Sequence, residues 1–433
     1  YGLRAAAPGA AVLAAFDLHA TANEAYAANL GLRPQQLNIG GIPPAKLAAY
    51  AADVWLLSPP CQPYTRKGLQ KDSDDGRATS FLQVLELLPS LQPRPSYLLV
   101  ENVVGFECSR TRDALLATLH SAGYAVQEFI LSPLQLGVPY SRPRYFCLAK
   151  AAPLAFVAPA PPGSPPRQCV PTSLLPSAPP SSGTSRPPRP VRDFLVDDPA
   201  AEWGGAAPLR QHPPDPEDMP ASRYAAELGD PATDTSSSGA ADGSDPWAVY
   251  RVPEHMIEQS GFVLDVVAAP AVRLKCFTKT YSRFAKGTGS VLATAGAERL
   301  REYRSDNGGC GGPPPGDAGA AAGGVAVADG WAAGNYGEAV FGASLKELGL
   351  RYFTPREVAN LHSFPPSFAF PPGITLRQRY ALLGNSLSVA VVADLLTYLL
   401  AEPAGEAAQP GGAHKGRPLG TGTPQLTPQH VLM

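Results

Sequence analysis

The segment Val54-Trp55-Leu56-Leu57-Ser58-Pro59-Pro60-Cys61-Gln62-Pro63 joins four apolar residues to a turn stiffened by three prolines. Short apolar runs bounded by turn residues read as buried strands, so a strand over 54–57 delivers Cys61 just past its carboxyl end. The same rhythm recurs on either side. Apolar runs at 12–16, 97–100, 126–131 and 145–148 alternate with helical patterns at 20–29, 80–88 and 112–122. Alternating strands and helices define an α/β fold, here a doubly wound, mostly parallel sheet with helices on both faces. Ligands of such sheets bind at the carboxyl ends of the strands, which is where Cys61 stands.

Composition divides the 433 residues further. The chain holds 42 glycines and 49 prolines, well above ordinary usage, and they gather in stretches with few large apolar residues. Such stretches cannot bury enough surface to offset their ordering entropy. The expected organisation is an ordered α/β domain over 1–150, a mostly disordered insertion over 151–246, an ordered region with a basic cluster over 247–304, a low-complexity linker over 305–345, a return to the ordered domain over 346–400 and a disordered tail over 401–433. Within the insertion, 155–245 is expected to be mobile apart from a short ordered island at 191–196. A helix is expected from Thr354-Pro355-Arg356-Glu357, where Thr354 and Glu357 form a capping box, and another over 387–400.

A formal charge of −2 excludes a global positive field, so any nucleic-acid site must be a local patch. The six cysteines include no Cys-x-x-Cys pair, which argues against zinc and against a dense disulfide framework. Neither a bilayer-spanning apolar run nor a signal segment is read. The expectation is a soluble, monomeric, intracellular protein without membrane or metal partners, cytoplasmic and also nuclear. The sequence opens on Tyr1 in place of methionine and is expected to begin inside a longer chain.

Three groups carry chemistry. An isolated cysteine is most often a small packing residue, but prolines around Cys61 fix its loop as a catalytic nucleophile requires. Glu101, in Glu101-Asn102-Val103, closes the run at 97–100, and Arg142-Pro143-Arg144 precedes the run at 145–148. Each alone reads as a solvated strand end. Together they bring a thiol, a carboxylate and guanidinium groups to one sheet edge, a plausible site for a polar heterocycle.

These motifs resemble those of the cytosine-5 methyltransferases: Pro59-Pro60-Cys61-Gln62 its nucleophile motif, Glu101-Asn102-Val103 its acid motif, Arg142-Pro143-Arg144 its paired arginines and Gly384-Asn385-Ser386 its last motif. The resemblance implies a class I, Rossmann-like methyltransferase fold that uses S-adenosylmethionine. It implies Cys61 as the thiolate that adds to carbon 6 of cytosine, a protonated Glu101 that donates to ring nitrogen 3, and Arg142 and Arg144 holding oxygen 2. Asp17, after the run at 12–16, would hold ribose hydroxyls, and Ile42, Pro59, Asn385 and Ser386 would line the rest of the cofactor pocket. Gly40 stands where relatives commonly carry an acid. The family's glycine loop is expected just upstream of Tyr1, so weak cofactor binding is expected of this chain without it.

Lys275-Cys276-Phe277-Thr278-Lys279, with Tyr281 and Arg283 beyond it, resembles the target-recognition segment of the family's tRNA-directed branch. Thr65-Arg66 and Phe364-Pro365-Pro366 resemble that branch too. Residues 266–297 hold Arg273, Lys275, Lys279, Arg283 and Lys286 and no acid, with Phe277, Tyr281 and Phe284 interleaved. Basic and aromatic residues together suit a single-stranded loop with splayed bases. The resemblance implies an anticodon-loop cytosine, position 38 of aspartate tRNA. The alternatives are DNA methylation by the same site, and an RNA-binding protein with an impaired one.

Overall fold

The structure, a computed structural model of the chain, describes residues 1–61, 64, 72, 76, 78–161, 163–171, 186–199, 245–295, 345–403 and 430–432. The large sheet contains β1 (Ala11–Ala14), β2 (Val54–Leu57), β3 (Tyr97–Val103), β4 (Tyr124–Leu131), β5 (Arg144–Ala151) and a last strand, β9 (His430–Leu432). Their spatial order is β1-β9-β2-β3-β5-β4. The first four are parallel neighbours, whereas β5 runs antiparallel to both β3 and β4.

Strand alternation sorts the apolar side chains into two cores. Trp55, Leu57, Leu98, Val100, Tyr145 and Cys147 face one side, where they meet Phe81, Val84 and Leu85 of α4 (Thr79–Leu87) and Leu115 and Leu119 of α5 (Arg110–Ser121). Val54, Tyr97, Leu99, Phe146 and Leu148 face the other, against Leu395, Leu396 and Leu399 of α9 (Val389–Leu400) and Leu3 of α1 (Gly2–Ala6). Helices on both faces explain why β2 and β3 read as unbroken apolar runs. Between β1 and β2 lie α2 (Ala20–Leu30) and a short α3 (Pro44–Ala49), the latter not foreseen from the sequence.

A smaller sheet joins β6 (Asp265–Ala268), β7 (Ser290–Ala293) and β8 (Leu350–Arg351), with β6 parallel and β8 antiparallel to β7. Around it pack α6 (Glu254–Ser260), α7 (Pro355–Leu361) and α8 (Leu376–Asn385). The capping box at α7 forms as expected, and its Glu357 is also gripped by both terminal nitrogens of the buried Arg351 at 2.7 Å. The segment after 346 therefore divides: α7 and α8 build the small domain's core, and α9 returns to the large sheet. By length and hydropathy the stretch Leu376–Leu400 passes as a membrane span, with a mean hydropathy of 1.6 over its most apolar part. It is two helices, broken at 386–388, whose apolar faces pack inside the two cores.

Two expectations of disorder are corrected. In the insertion, Phe156 is buried, stacks on Tyr398 with centroids 5.7 Å apart and lies under the Lys150 ammonium, while Val191 and Phe194 anchor the expected island in the small domain's core. Proline content concealed these few apolar anchors. In the tail, residues 430–432 form β9, seated between β1 and β2 in the large sheet. The low-complexity linker up to residue 344, the rest of the insertion and tail, Gln62, Pro63 and Thr65-Arg66 lie outside the described residues.

Truncating Phe156 to alanine removes a ring held between α9 and β5. The Phe156→Ala protein should lose about 3 kcal/mol of stability, read from urea unfolding followed by circular dichroism. A variant as stable as wild type would show that 155–158 does not pack.

Candidate active site

Cys61 follows β2 on a turn that is held from the neighbouring strand. Asn102, buried on β3, donates from Nδ2 to the Pro59 carbonyl at 3.4 Å, and the Cys61 carbonyl accepts the Tyr64 amide at 3.0 Å. Glu101 was expected beyond the end of β3 but lies within it, opposite Phe146, because pairing with β5 carries the strand on to Val103. Val103 pairs with Arg144, so Arg144 and Glu101 are diagonal neighbours on one face. The Arg144 Nε lies 3.6 Å from Glu101 Oε1.

Burial raises the Glu101 carboxyl above the ordinary carboxylate range, and Arg144, Arg142 and a hydrogen bond with Ser58 oppose that rise without cancelling it. The protonated acid is thereby favoured, the form that can donate to a ring nitrogen.

Arg142 is placed differently from the sequence expectation. It is fully buried, and Nη1 faces the Tyr140 hydroxyl at 3.3 Å, Cys276 Sγ at 3.2 Å and the Phe277 carbonyl at 3.0 Å, while Nη2 donates to the Gly384 carbonyl at 2.8 Å. Its Nε has no hydrogen-bond partner among the described residues. Arg142 thus ties the catalytic sheet to the recognition segment and to α8, and its terminal nitrogens are not left for a base. Behind it, the Tyr140 hydroxyl meets His362 Nε2 at 3.3 Å. The Val358 carbonyl, 2.8 Å from His362 Nδ1, can only accept, so Nδ1 carries the proton and Nε2 accepts. Burial, with Arg142 nearby, pushes the imidazole down to about 3, so His362 stays neutral. Tyr140 and His362 were missed in the sequence; Tyr140 stands two residues before Arg142, and His362 gave no signal.

Gly384 is fixed by close approach. A Cβ there would lie 2.3 Å from the Lys279 amide nitrogen and 2.3 Å from the Thr278 carbonyl carbon. Gly40 is fixed likewise, since a Cβ would fall 2.9 Å from Ser80 Cα at the start of α4, which leaves no room for the acid common in relatives.

On the cofactor side, Asp17 is exposed beyond β1, where its carboxylate accepts the His19 amide at 2.8 Å and its carbonyl accepts Asn23 Nδ2 at 3.0 Å. The buried Asn23 Oδ1 has no partner among the described residues. A carboxylate backed by an unused acceptor fits the hydroxyl donors of a ribose. Pro59 is half-buried and Asn385 exposed, and Ser386 Oγ donates to the Leu382 carbonyl at 2.8 Å. The side chain of Ile42 is buried in the core beside Leu47 and Phe81. Ser388 Oγ, at the start of α9, is buried and has no hydrogen-bond partner among the described residues.

The recognition residues divide by burial. Phe277 and Tyr281, read from sequence as base-stacking residues, are core side chains: they form an aromatic cluster with Tyr140, Phe353 and Tyr380, and the Tyr281 hydroxyl donates to the Ser290 carbonyl at 2.6 Å. Phe284, 50% exposed, is the aromatic left on the surface of this segment. Cys276 and Thr278 are half-buried. Lys275, Lys279 and Arg283 are exposed, Lys275 with its ammonium 3.3 Å from Asp265. No cluster of metal-binding side chains occurs among the described residues.

A half-buried thiol, a carboxyl raised by burial and a guanidinium stand at one edge of an α/β sheet, the arrangement expected of a cytosine-5 methyltransferase. A family model described as C-5 cytosine-specific DNA methylase matches residues 1–168 and 305–400, and the chain belongs to that family of S-adenosylmethionine-dependent enzymes. It is similar to a rat tRNA (cytosine(38)-C(5))-methyltransferase, 36% identical over 418 residues that cover 92% of this chain and 95% of the relative. The human protein of the same name is 35% identical over 409 residues, with 92% and 95% covered. A crystal structure of a Spodoptera frugiperda DNMT2 variant superposes with a TM-score of 0.61 at 28% identity, covering 90% of this chain and 92% of that one.

The raised Glu101 carboxyl sets a pH signature. A group whose folded pKa lies above its unfolded value contributes stability below the unfolded value and loses it as pH rises through the folded one. Glu101→Gln keeps the shape without the charge, so the variant should exceed wild type in thermal midpoint by a margin that grows from about pH 4 upward. Its methyl transfer should fall by about 10²-fold or more. A margin that shrinks with rising pH would contradict the direction of the shift.

Proposed function

We propose that this enzyme methylates carbon 5 of a cytosine in the anticodon loop of tRNA, position 38 of tRNA-Asp, through a covalent adduct on Cys61. The observation that carries the substrate assignment is the similarity, along more than nine-tenths of both chains, to relatives named as tRNA (cytosine(38)-C(5))-methyltransferases.

Each residue has a part. The Cys61 thiolate adds to carbon 6 of the ring, and Glu101, whose protonated form burial favours, donates its proton to nitrogen 3 as the ring takes up the electron pair. Arg144, held beside Glu101 by strand register, orients the ring through oxygen 2. Carbon 5 is then enamine-like and would form its bond to the methyl carbon as the sulfur–methyl bond of the sulfonium donor breaks, leaving the neutral thioether S-adenosylhomocysteine. Loss of the carbon 5 proton to a base, expulsion of the Cys61 thiolate and return of the nitrogen 3 proton to Glu101 restore the aromatic ring and the enzyme. S-adenosylmethionine supplies an electrophilic methyl group when bound; Asp17 would hold its ribose hydroxyls, with Pro59, Asn385 and Ser386 at the remaining walls. Arg142 acts by position, holding the recognition segment and α8 against the sheet.

Lys279, Arg283 and Lys286 with the exposed Phe284 form the surface that would meet RNA, the cations against phosphates and the ring against an unstacked base. DNA is the second reading, favoured by the family's own description.

Labelled methyl transfer to tRNA and to duplex DNA, measured side by side, tests the assignment: transfer to a single tRNA cytosine is expected, and transfer to duplex alone would replace it with the second reading. Cys61→Ala should reduce turnover by more than about 10³-fold and form no adduct with RNA containing 5-fluorocytosine; turnover at the wild-type rate would overturn the covalent route. A double variant, Lys279→Glu with Arg283→Glu, should weaken tRNA binding by about tenfold or more while leaving S-adenosylhomocysteine affinity unchanged, as followed by filter binding and calorimetry.

A further inference from the structure

The run Arg186-Pro187-Pro188-Arg189-Pro190-Val191-Arg192, inside the proline-rich insertion, spaces three arginines at intervals of three and holds no acid. Its prolines fix φ and push the residues before them into extended backbone, and Pro190 stands at φ −68° and ψ 151°, in the polyproline II region. Such a strand has three residues per turn, so Arg186 and Arg189 leave it on one side. Both line a cavity of about 380 Å³, together with Phe194, Asn360 and Ser363. Arg186, Arg189 and Arg192 are all exposed.

The run is fastened along its backbone. The Arg186 amide donates to the Gln135 carbonyl at 3.3 Å and the Arg189 amide to the Gly137 carbonyl at 2.8 Å, both in the connection between β4 and β5. The Val191 and Arg192 amides then donate to the Ala271 and Ala269 carbonyls, each at 2.8 Å, while Val191 and Phe194 are buried in the small domain's core. Leu274 is bonded to the same connection at Pro139 and Ser141. The arginines thus stand on a fixed ridge between the catalytic sheet and the recognition segment, beside the exposed Arg273 and continuous with the basic stretch that leads to Lys279 and Arg283.

Nearby acids offset only part of this charge. Asp193 pairs with Arg189 at 2.9 Å, but the pair is open to solvent and holds weakly; Asp394 of α9 lies near enough to feel the Arg186 charge. A Pro-x-x-Pro run also suits the groove of an SH3 domain, yet that partner needs the proline face uncovered, and here the backbone is bonded and Val191 is buried. What the ridge presents is guanidinium groups, whose forked donors match phosphate oxygens. The cavity beside Arg186 and Arg189 has room for a phosphate group, with the Ser363 hydroxyl as a further donor.

We propose that the arginine ridge at 186–192 binds backbone phosphates of the substrate RNA, as a second contact surface apart from that of Lys279 and Arg283. The inference rests on the reading of tRNA as the substrate. In the sheet order the end of β4, where the ridge is fastened, is three strand positions from the end of β2, about 14 Å across the ladder. The phosphates met there belong to nucleotides flanking the target cytosine, not to the target itself.

Filter binding of full-length tRNA over a range of salt concentrations tests the proposal. A triple variant, Arg186→Gln with Arg189→Gln and Arg192→Gln, should flatten the slope of log K against log salt by about 2 and weaken binding by about tenfold or more. Its KM for tRNA should rise, with kcat and S-adenosylhomocysteine affinity close to wild type. Lysine at all three positions should keep the wild-type slope, which separates charge from shape. If thermal melting shows the triple variant to be unstable, Arg192→Gln alone should flatten the slope by about 1, and an unchanged slope there would overturn the proposal. With wild type methylating tRNA, an unchanged slope and KM in a stable triple variant would overturn the ridge and leave the substrate assignment standing. A wild type that transfers no methyl to tRNA would overturn that assignment and the ridge with it. Unchanged tRNA binding, with an SH3 domain captured by wild type and not by the triple variant, would give the run to a protein partner instead.

Discussion

A single buried guanidinium holds the parts of this enzyme together. Arg142 enters from the start of β5, and its four hydrogen-bond partners come from three other places in the chain: the adjacent Tyr140, the recognition residues Cys276 and Phe277, and Gly384 at the end of α8. Burying a cation is costly unless its donors are matched, and here carbonyl, hydroxyl and thiol acceptors surround it. Because Cys276, Phe277 and Gly384 lie more than 130 residues away in sequence, the clamp forms only when the large sheet, the small sheet and α8 have all assembled. Arg351 with Glu357 plays a similar part within the small domain, where one carboxylate accepts both an arginine fork and the Thr354 amide of the α7 cap.

Around the clamp, the polar groups are tuned in opposite senses by the same means. Burial favours the protonated form of Glu101, the form the proposed chemistry would use as a donor, and keeps a proton off His362, where a neutral ring accepts from Tyr140. Both effects follow from desolvation, which the neighbouring arginine charge opposes at Glu101 and reinforces at His362. Glu101 sits closer to solvent and to a hydroxyl partner, whereas His362 is enclosed by Tyr140 and the turn of α7. Retaining a carboxyl inside a sheet lowers stability at neutral pH, the kind of compromise common where side chains serve a reaction.

How much of this was legible beforehand follows from where the physics is local. The strand at Val54–Leu57 matched residue for residue because both its faces are buried and turn residues bound it. The capping box at Thr354 was legible because it involves neighbours in sequence. Arg142 and Arg144 look equivalent in a linear motif, and only strand register separates the one beside Glu101 from the one that clamps the domains. Phe277 and Tyr281 were misread because basic neighbours suggested a surface, while the partners that bury them, Tyr140, Phe353 and Tyr380, lie far off in sequence. β9 was invisible: three residues carry no periodicity, and their place is set by a gap between two other strands.

The buried aromatic pair has a consequence for how a substrate is met. Because Phe277 and Tyr281 are packed into the small domain's core, the backbone that carries Lys279 and Arg283 is already set in shape before any nucleic acid arrives. A preorganised surface loses little conformational entropy on association. On the proposed reading the work of adapting falls on the polynucleotide, which would unstack its own cytosine to reach Cys61, so a polymer that resists such deformation would be disfavoured even where its charges match.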